Sequence, residues 1–378
     1  MRTVAIFCGN RAEFGLLQKI IHELEKCTDV DVRVCLSGAL DDPKWGDVAP
    51  QTLYGNTVDH VIQTPTRDLS GRHVAGVVAN IVEGMADWLE ILKADILLVL
   101  GDRSETFAAV TAAYFMNIVI AHIHGGDRVL TDCLDTNVRH AITKLAHIHF
   151  PACADSRDRI LRLGESDDRV FLAGSPAVEI ARNTELLGNS EIRETLNLTD
   201  DEPFFLVTIH PENDTNVANA EFMRAALEAL EAEGTSIVIT YPNNDPGGEA
   251  MISELNNFKF SINAVIRPTL GIRNYLSALK ECVLVIGNTS SGIMEAPIFK
   301  TPFVNIGQRQ TGRCESGNVV HCPKYDSAEI RQAIRHARDL DLSMLQNLYE
   351  GGNTSSIIAK TLANLELTHG LRVKPITY

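Results

Sequence analysis

The chain is 378 residues long, with 45% hydrophobic and 22% charged residues, the make-up of a globular protein with room for two domains and a core in each. Its formal net charge of −15 argues against a general nucleic-acid or anionic-membrane surface, although a few arginines in a cleft still suit an anionic ligand. No apolar run is long enough to span a bilayer, the N-terminus lacks the apolar core of a signal peptide, and the eight cysteines contain no CxxC pair, so free thiols in a reducing cytoplasm are expected.

Residues 4–8 form an apolar run that ends at Gly9, Asn10 and Arg11, and 14–27 read as the helix that follows. A second strand is expected over 30–36, then a turn-rich segment with one strand candidate at 60–64. An amphipathic helix over 73–93 feeds the strand 96–100, which empties into Gly101, Asp102 and Arg103. Residues 105–116 lack Gly and Pro and read as a crossover helix to the strand 118–123. That strand opens into His124, Gly125, Gly126 and Asp127, and a short loop is expected to lead to Asp135 and Arg139. A strand at 147–151, a helix at 154–163 and a strand at 170–173 follow, the last ending at Gly174, Ser175 and Pro176.

Polar and acidic residues dominate 182–203, the expected interdomain connection. A second alternating series then begins. Strands are expected at 205–209, before His210, Pro211, Glu212 and Asn213; at 236–240, before Asn243; at 265–266, before Arg267; at 283–286, before Gly287-Asn288-Thr289-Ser290-Ser291-Gly292; and at 303–306, before Arg309 and Arg313. Helices are expected at 221–232, 272–279 and beyond Ser291, and two more, 328–340 and 355–365, close the chain. Strand alternating with helix in two blocks predicts two Rossmann-like domains with parallel sheets facing across a cleft, the first over 1–181 and the second over 200–352. The chemistry is expected at the carboxyl ends of the strands.

The Gly287–Gly292 turn reads as an anion cradle, because small residues admit a phosphate and the first N–H groups of a helix stabilise its charge. Ser290 and Ser291 could equally be simple caps. Glu295 is placed to accept from ribose hydroxyls. Arg11, Arg103, Arg267, Arg309 and Arg313 all follow strands and could surround a pyrophosphate, or serve as surface ion pairs. Asp102 and Asp135 are the carboxylates expected to transfer protons, and His210 is a donor, an acid or a phosphate partner. The histidines 122, 124, 140, 147 and 149 include no HExxH or comparable ligand set, and core packing is their commoner fate. Neither GxGxxG after a strand nor GxxxxGK[ST] is present, so no nicotinamide or P-loop site is supported.

In order and spacing, GNRAEFGLL, GDR at 101–103, HIHGGD at 122–127, RHAITKLAHIHF at 139–150, GSP at 174–176, IHPEN at 209–213, GNTSSGIMEAP at 287–297 and IGQRQTGR at 306–313 resemble the hydrolysing UDP-N-acetylglucosamine 2-epimerases of sialic and legionaminic acid pathways. The resemblance implies a glycosyltransferase-B-like fold whose last helix, about 353–378, crosses back to the first domain, and assembly as a homodimer or homotetramer. It implies release of UDP with inversion at C2 through a glycal, needing no redox cofactor and no metal. Asp102 and Asp135 match family acid/base carboxylates and His210 the histidine of the second domain, while Arg11, Ser290, Ser291, Glu295 and Arg313 match positions that hold UDP. Arg103 and Arg139 place charge. Human-like members carry a glutamate where this chain has His124, so either His124 or Asp127 completes the proton relay. The alternatives are a glycosyltransferase that turns over only with an acceptor, and a nucleotide-sugar sensor without catalysis.

Overall fold

The structure, a computed structural model, describes residues 1–37, 52–53, 56–64, 71–130, 134–199, 202–213, 215–243, 245–374 and 377, and among these not the side chains of 11, 12, 52, 53, 56, 57, 71 and 134. The apolar runs assemble into two parallel six-stranded sheets. In the first, β1 (Arg2–Cys8), β2 (Val30–Ser37), β3 (His60–Ile62), β4 (Ile96–Leu100), β5 (Val119–Ile123) and β6 (Ile148–Phe150) lie in the order β3-β2-β1-β4-β5-β6. In the second, β7 (Phe204–Thr208), β8 (Ser236–Thr240), β9 (Ala264–Arg267), β10 (Leu284–Gly287), β11 (Phe303–Ile306) and β12 (Val319–Cys322) lie in the order β9-β8-β7-β10-β11-β12. Each sheet winds outward from its first strand and then restarts on that strand's other side. The strand ends flanking the reversal, β1 and β4 in one sheet and β7 and β10 in the other, are where such sheets leave a ligand crevice.

Two compact units result. The first comprises Met1–Arg128, Asp132–Ile180 and Tyr349–Tyr378, the second Val129–Thr131 and Ala181–Leu348. In the first sheet alternate residues serve opposite faces. Val4, Ile6, Ile96 and Leu98 pack with Phe14, Leu17 and Ile21 of α1 (Arg11–Glu25), while Ala5, Phe7, Leu97 and Val99 pack with α2 (Gly71–Leu92) and α3 (Ser104–Phe115). A sheet buried on both faces must be apolar at every position. That is why these runs show no period of two.

The α1 start has a sequence-local cause. Asn10 caps it by accepting from Glu13 N–H at 2.9 Å, and Glu13 Oε2 accepts from Gly9 N–H at 2.7 Å, a reciprocal arrangement worth about 1 kcal/mol. The end of the chain belongs to the first unit. Ile358, Ala359 and Leu362 of α13 (Thr354–Asn364) join the core beneath α1. Arg2 donates to the carbonyls of Leu362, Ala363 and Leu365 at the α13 C-terminus, where unpaired carbonyls favour a cation. Arg169 does the same for Gly370, Leu371 and Val373 around α14 (His369–Arg372).

Several expectations need correcting. Asp135 and Arg139, to which a short loop was expected to lead, both lie on a helix that was not expected, α4 (Leu134–Leu145). Residues 170–173 form no strand but a single Val170–His149 bridge, because their partner β6 is three residues long. The polar stretch 182–203 holds α7 (Asn189–Thr195) behind α6 (Pro176–Asn183), and α9 (Gly248–Asn257) and β12 were not expected. The helix α5 (Ala154–Arg162) and, in the second unit, α8 (Asn216–Glu233), α10 (Gly271–Glu281) and α12 (Ser327–Arg338) stand near their expected places. Among the described residues no helix is long and apolar enough to cross a membrane, and the described cysteines are all free.

Candidate active site

At the reversal of the first sheet the turn after β4 carries Asp102, whose carboxylate is paired with the buried guanidinium of Arg139. A second Arg139 nitrogen donates to the Asp127 carbonyl at 3.0 Å, so one guanidinium on α4 ties the loop after β4 to the loop after β5. Asp127, itself buried, receives His124 Nδ1 at 2.9 Å on one oxygen and Ser156 Oγ at 2.7 Å on the other. A carboxylate only accepts, so Nδ1 carries the proton and Nε2 of a neutral ring is left as acceptor. That nitrogen lies 3.2 Å from the hydroxyl of the buried Ser175. Asp102, Arg139, Asp127, His124 and Ser175 thus form one continuous polar chain.

The chain is bought with backbone strain. His124 has φ +65°, a left-handed conformation costing a residue with a Cβ roughly 1 kcal/mol, and such residues collect where function demands the geometry. Gly126 (φ +76°) follows, and a Cβ there would meet the Ser156 carbonyl at 2.2 Å. The paired glycines of HIHGGD therefore let the loop press onto the first turn of α5, bringing Asp127 to Ser156. Beneath them, fully buried His122 donates Nε2–H to the Gly101 carbonyl at 2.7 Å, bracing the turn that presents Asp102. Burial lowers its pKa to about 3, so the ring is neutral near pH 7.

In the second unit the loop after β7 carries His210. Its Nδ1 accepts from Asn243 N–H at 3.1 Å, which puts the ring proton on Nε2. Burial, with Arg309 nearby, lowers its pKa to about 3, so it is a neutral donor. Fully buried Asn288, after β10, brackets the His210 backbone, accepting from its N–H at 2.7 Å and donating to its carbonyl at 2.9 Å. Gln310 Nε2 in turn donates to the Asn288 carbonyl at 2.8 Å.

The helix expected beyond Ser291 is a single α turn, α11 (Ser291–Met294), followed by a 3-10 turn, so any anion there would meet first-turn N–H groups rather than a long aligned dipole. Ser290 stands at its N-cap without a side-chain cap bond. Ser291 Oγ and the Tyr275 hydroxyl are buried beside each other, and burial pushes the Tyr275 phenol up to about 12. Gly292 has a packing reason for lacking a side chain, since a Cβ would sit 2.4 Å from the Phe303 ring. Glu295 closes the α turn and Arg313 follows the β11 loop, both half-buried.

Other expected residues lie on these and neighbouring elements. Asp135 is exposed on the first turn of α4, one turn before Arg139. Arg103 precedes α3 and pairs with Glu105 at 3.4 Å. Arg267 ends β9, the outermost strand beyond β8, and donates to its neighbour's carbonyl, that of Ile266. Arg11 opens α1, but its side chain lies outside the described residues. Ser156, Gln310 and Tyr275 carried no sequence signal of a site role. Ser175 did, as part of GSP after an apolar run.

The profile of the UDP-N-acetylglucosamine 2-epimerase family matches residues 22–363. A Campylobacter jejuni protein named GDP/UDP-N,N'-diacetylbacillosamine 2-epimerase (hydrolyzing) is 31% identical, with 84% of each chain covered. A Legionella pneumophila UDP-N,N'-diacetylbacillosamine 2-epimerase (hydrolyzing) is 28% identical over 97% of each. Among solved structures, a Neisseria meningitidis UDP-GlcNAc 2-epimerase bound to UDP-GlcNAc superposes with TM-score 0.78 at 20% identity, covering 96% of this chain and 99% of that one.

Proposed function

The chain belongs to the UDP-N-acetylglucosamine 2-epimerase family, and from that premise we propose that it is a hydrolysing 2-epimerase, converting a UDP-2-acetamido sugar and water to UDP and the free manno-configured sugar. The observation that carries the reading is the buried polar chain from Asp102 through Arg139 and Asp127 to His124. It gathers two carboxylates and an oriented imidazole at the ends of two adjacent strands, β4 and β5. The names of the two relatives favour a UDP-2,4-diacetamido-trideoxyhexose as substrate, with UDP-N-acetylglucosamine the second choice.

The chemistry sets what these groups must do. H2 of a glycoside has no adjacent carbonyl to acidify it, so the C1–O bond breaks first and UDP leaves with the bonding electrons. Unit 2 supplies donors for that charge: Nε2–H of His210, Ser291 Oγ, the N–H groups opening α11, Arg313 and Arg309, with Asn243 and Asn288 of the proposed set holding the His210 ring and backbone in place. Cationic character at C1 then acidifies H2; Asp102 removes it and C1=C2 forms, giving a glycal. Water adds at C1, and a proton reaches C2 on the opposite face, inverting it. The Asp127–His124 pair suits that delivery, because Asp127 stabilises the imidazolium and Ser175 bonds to Nε2 in either protonation state. Asp135 is the remaining carboxylate candidate, and Arg11, Arg103, Arg267, Ser290, Gly292 and Glu295 complete the proposed UDP-sugar set. The same reading includes a homodimer or homotetramer in the cytoplasm, feeding sialic or legionaminic acid synthesis.

A nuclear magnetic resonance time course in deuterated water tests it. Incubation with each UDP-sugar should release UDP and a manno-configured product carrying deuterium at C2. UDP release with protium retained at C2 would refute the mechanism.

A further inference from the structure

We propose that Glu212, which makes no direct claim on chemistry, is the positioning residue of unit 2: its carboxylate fastens the His210 loop to the loops of the three neighbouring strands. The inference deepens the reading of unit 2 as the UDP-holding unit and rests on it for the ligand, though not for the geometry.

Glu212 lies two residues after His210. Its Oε1 accepts from Gln308 N–H at 2.9 Å and from the Tyr325 hydroxyl; its Oε2 accepts from Arg309 N–H at 2.9 Å and from Asn288 Nδ2 at 3.1 Å. Those donors come from the loops after β10, β11 and β12, so one side chain joins four adjacent strand ends. The chain around it is shaped to admit it. Gly307, immediately before the two N–H donors, has φ +81°, and a Cβ there would lie 2.2 Å from the Glu212 carboxylate. The backbone of the Glu212 loop is held from beneath by fully buried Asn219, which accepts from the N–H groups of Glu212 (3.2 Å) and Asn213 (3.1 Å) and donates to the Asn213 carbonyl at 2.9 Å.

The donor set explains why a carboxylate is needed. Both oxygens face N–H donors, so a carboxamide of the same shape would turn its NH2 against one of them in either orientation. The link to His210 runs through Asn288. Its NH2 group spends one hydrogen on the His210 carbonyl and the other on Glu212, which fixes its oxygen toward His210 N–H. Removing the carboxylate frees the Asn288 amide to rotate and loosens the backbone carrying the ring.

The experiment compares full-length wild type, Glu212→Gln, Glu212→Asp and Tyr325→Phe by titration calorimetry with UDP and by ring-nitrogen resonances of 15N-histidine-labelled protein, His210 being assigned with a His210→Gln variant. Glu212→Gln should weaken UDP about tenfold or more and shift the His210 ring signals away from a fixed Nε2–H tautomer. Glu212→Asp, which keeps the charge but is shorter, should recover part of both. If Glu212→Gln fails to fold, Tyr325→Phe, which removes one donor, should still shift the His210 signals and weaken UDP a few-fold. Should the wild type itself not bind UDP, the proposed function falls, and the His210 signals alone decide on Glu212. Unaltered His210 signals in a folded Glu212→Gln protein would overturn the proposal.

Discussion

The two sheets repeat one strand order, yet they hold their functional loops in opposite ways. In the first unit ionisable side chains grip one another: Asp102 and Arg139, Asp127 and His124, with serine hydroxyls at the margins. In the second the grip is between side chains and backbone, with His210 fixed by the amide of Asn243 and by both backbone groups bonded to Asn288. Charge held by charge is responsive to protonation and intolerant of neutral replacement. A lattice of amides around one carboxylate, Glu212, which meets N–H and O–H donors instead of a cation, is stiffer and more sensitive to shape. The first arrangement suits proton transfer; the second suits holding a ligand whose charge does not change until it leaves.

The contrast predicts a graded set of outcomes. Asp102→Asn should lower turnover about 10²–10⁴-fold and leave UDP affinity unchanged in calorimetry; near-normal turnover would remove Asp102 from its role. Asp127→Asn, which unties both His124 and Ser156, should cost on the order of 10²-fold in product formation at saturating substrate, again without loss of UDP binding. A comparable loss of UDP affinity in either variant would erase the distinction between the two units.

Acid should expose the difference in another way. The first unit buries His122 and His147, with pKa values lowered to about 3 and about 4, and also His149, lowered as well; the second buries His210, lowered to about 3. Each binds a proton more readily when unfolded, so its contribution is complete above about pH 6.5 and is lost as pH falls below that. The slope is about 1.4 kcal/mol per pH unit for each histidine. Glu13, raised to about 7 by burial, opposes this, since the folded protein holds its proton more tightly between about pH 4.5 and 7. Three histidines against one carboxyl leave the first unit more acid-sensitive than the second. Hydrogen exchange at pH 7 and pH 5.5 should show protection falling further in the first sheet, and equal losses would contradict the assignment.

Smaller effects sharpen the shape side. Gly292→Ala forces a methyl group against Phe303 and should cost about 1–3 kcal/mol in urea unfolding, with UDP weakened in step. Ser175→Ala removes the hydroxyl beside His124 Nε2 and should cost only about 0.5–1.5 kcal/mol of transition-state stabilisation, read as a few-fold lower kcat. A larger loss would make the serine a full member of the proton path.

The same contrast governs what could be read from the amino acids. Strands 96–100, 236–240 and 303–306 match the observed ones end to end, because fully buried parallel strands are short apolar runs broken abruptly by Gly, Asn or Asp. Helices α4 and α9 escaped, their apolar faces being thin: LDTNVRHAITKL and GEAMISELNN look like polar loops until packing supplies the buried side. Asp102, Asp127 and His124 stood out as ionisable groups at strand ends. Of the serine partners, Ser156 did not, and Ser175 stood out only as part of GSP, since they come from 29 and 51 residues further along and no spacing rule joins them to Asp127 and His124. Gly292, expected as a ligand contact, also seats the Phe303 ring, a packing reason visible only when β11 lies alongside.

Gly174 and Gly351 meet closely enough that a Cβ on Gly174 would fall 2.3 Å from Gly351 N. Next to them Ser175 N–H bonds to the Tyr349 carbonyl at 2.9 Å and Thr354 Oγ1 to the Ala173 carbonyl at 2.8 Å. This seam is where the polypeptide re-enters the unit it began. During synthesis, therefore, the part of unit 1 made before unit 2 is finished only after it. Nearly all of unit 2 is available for folding beforehand, while the core under α1 and the backbone of Ser175 wait for the returning segment Tyr349–Tyr378.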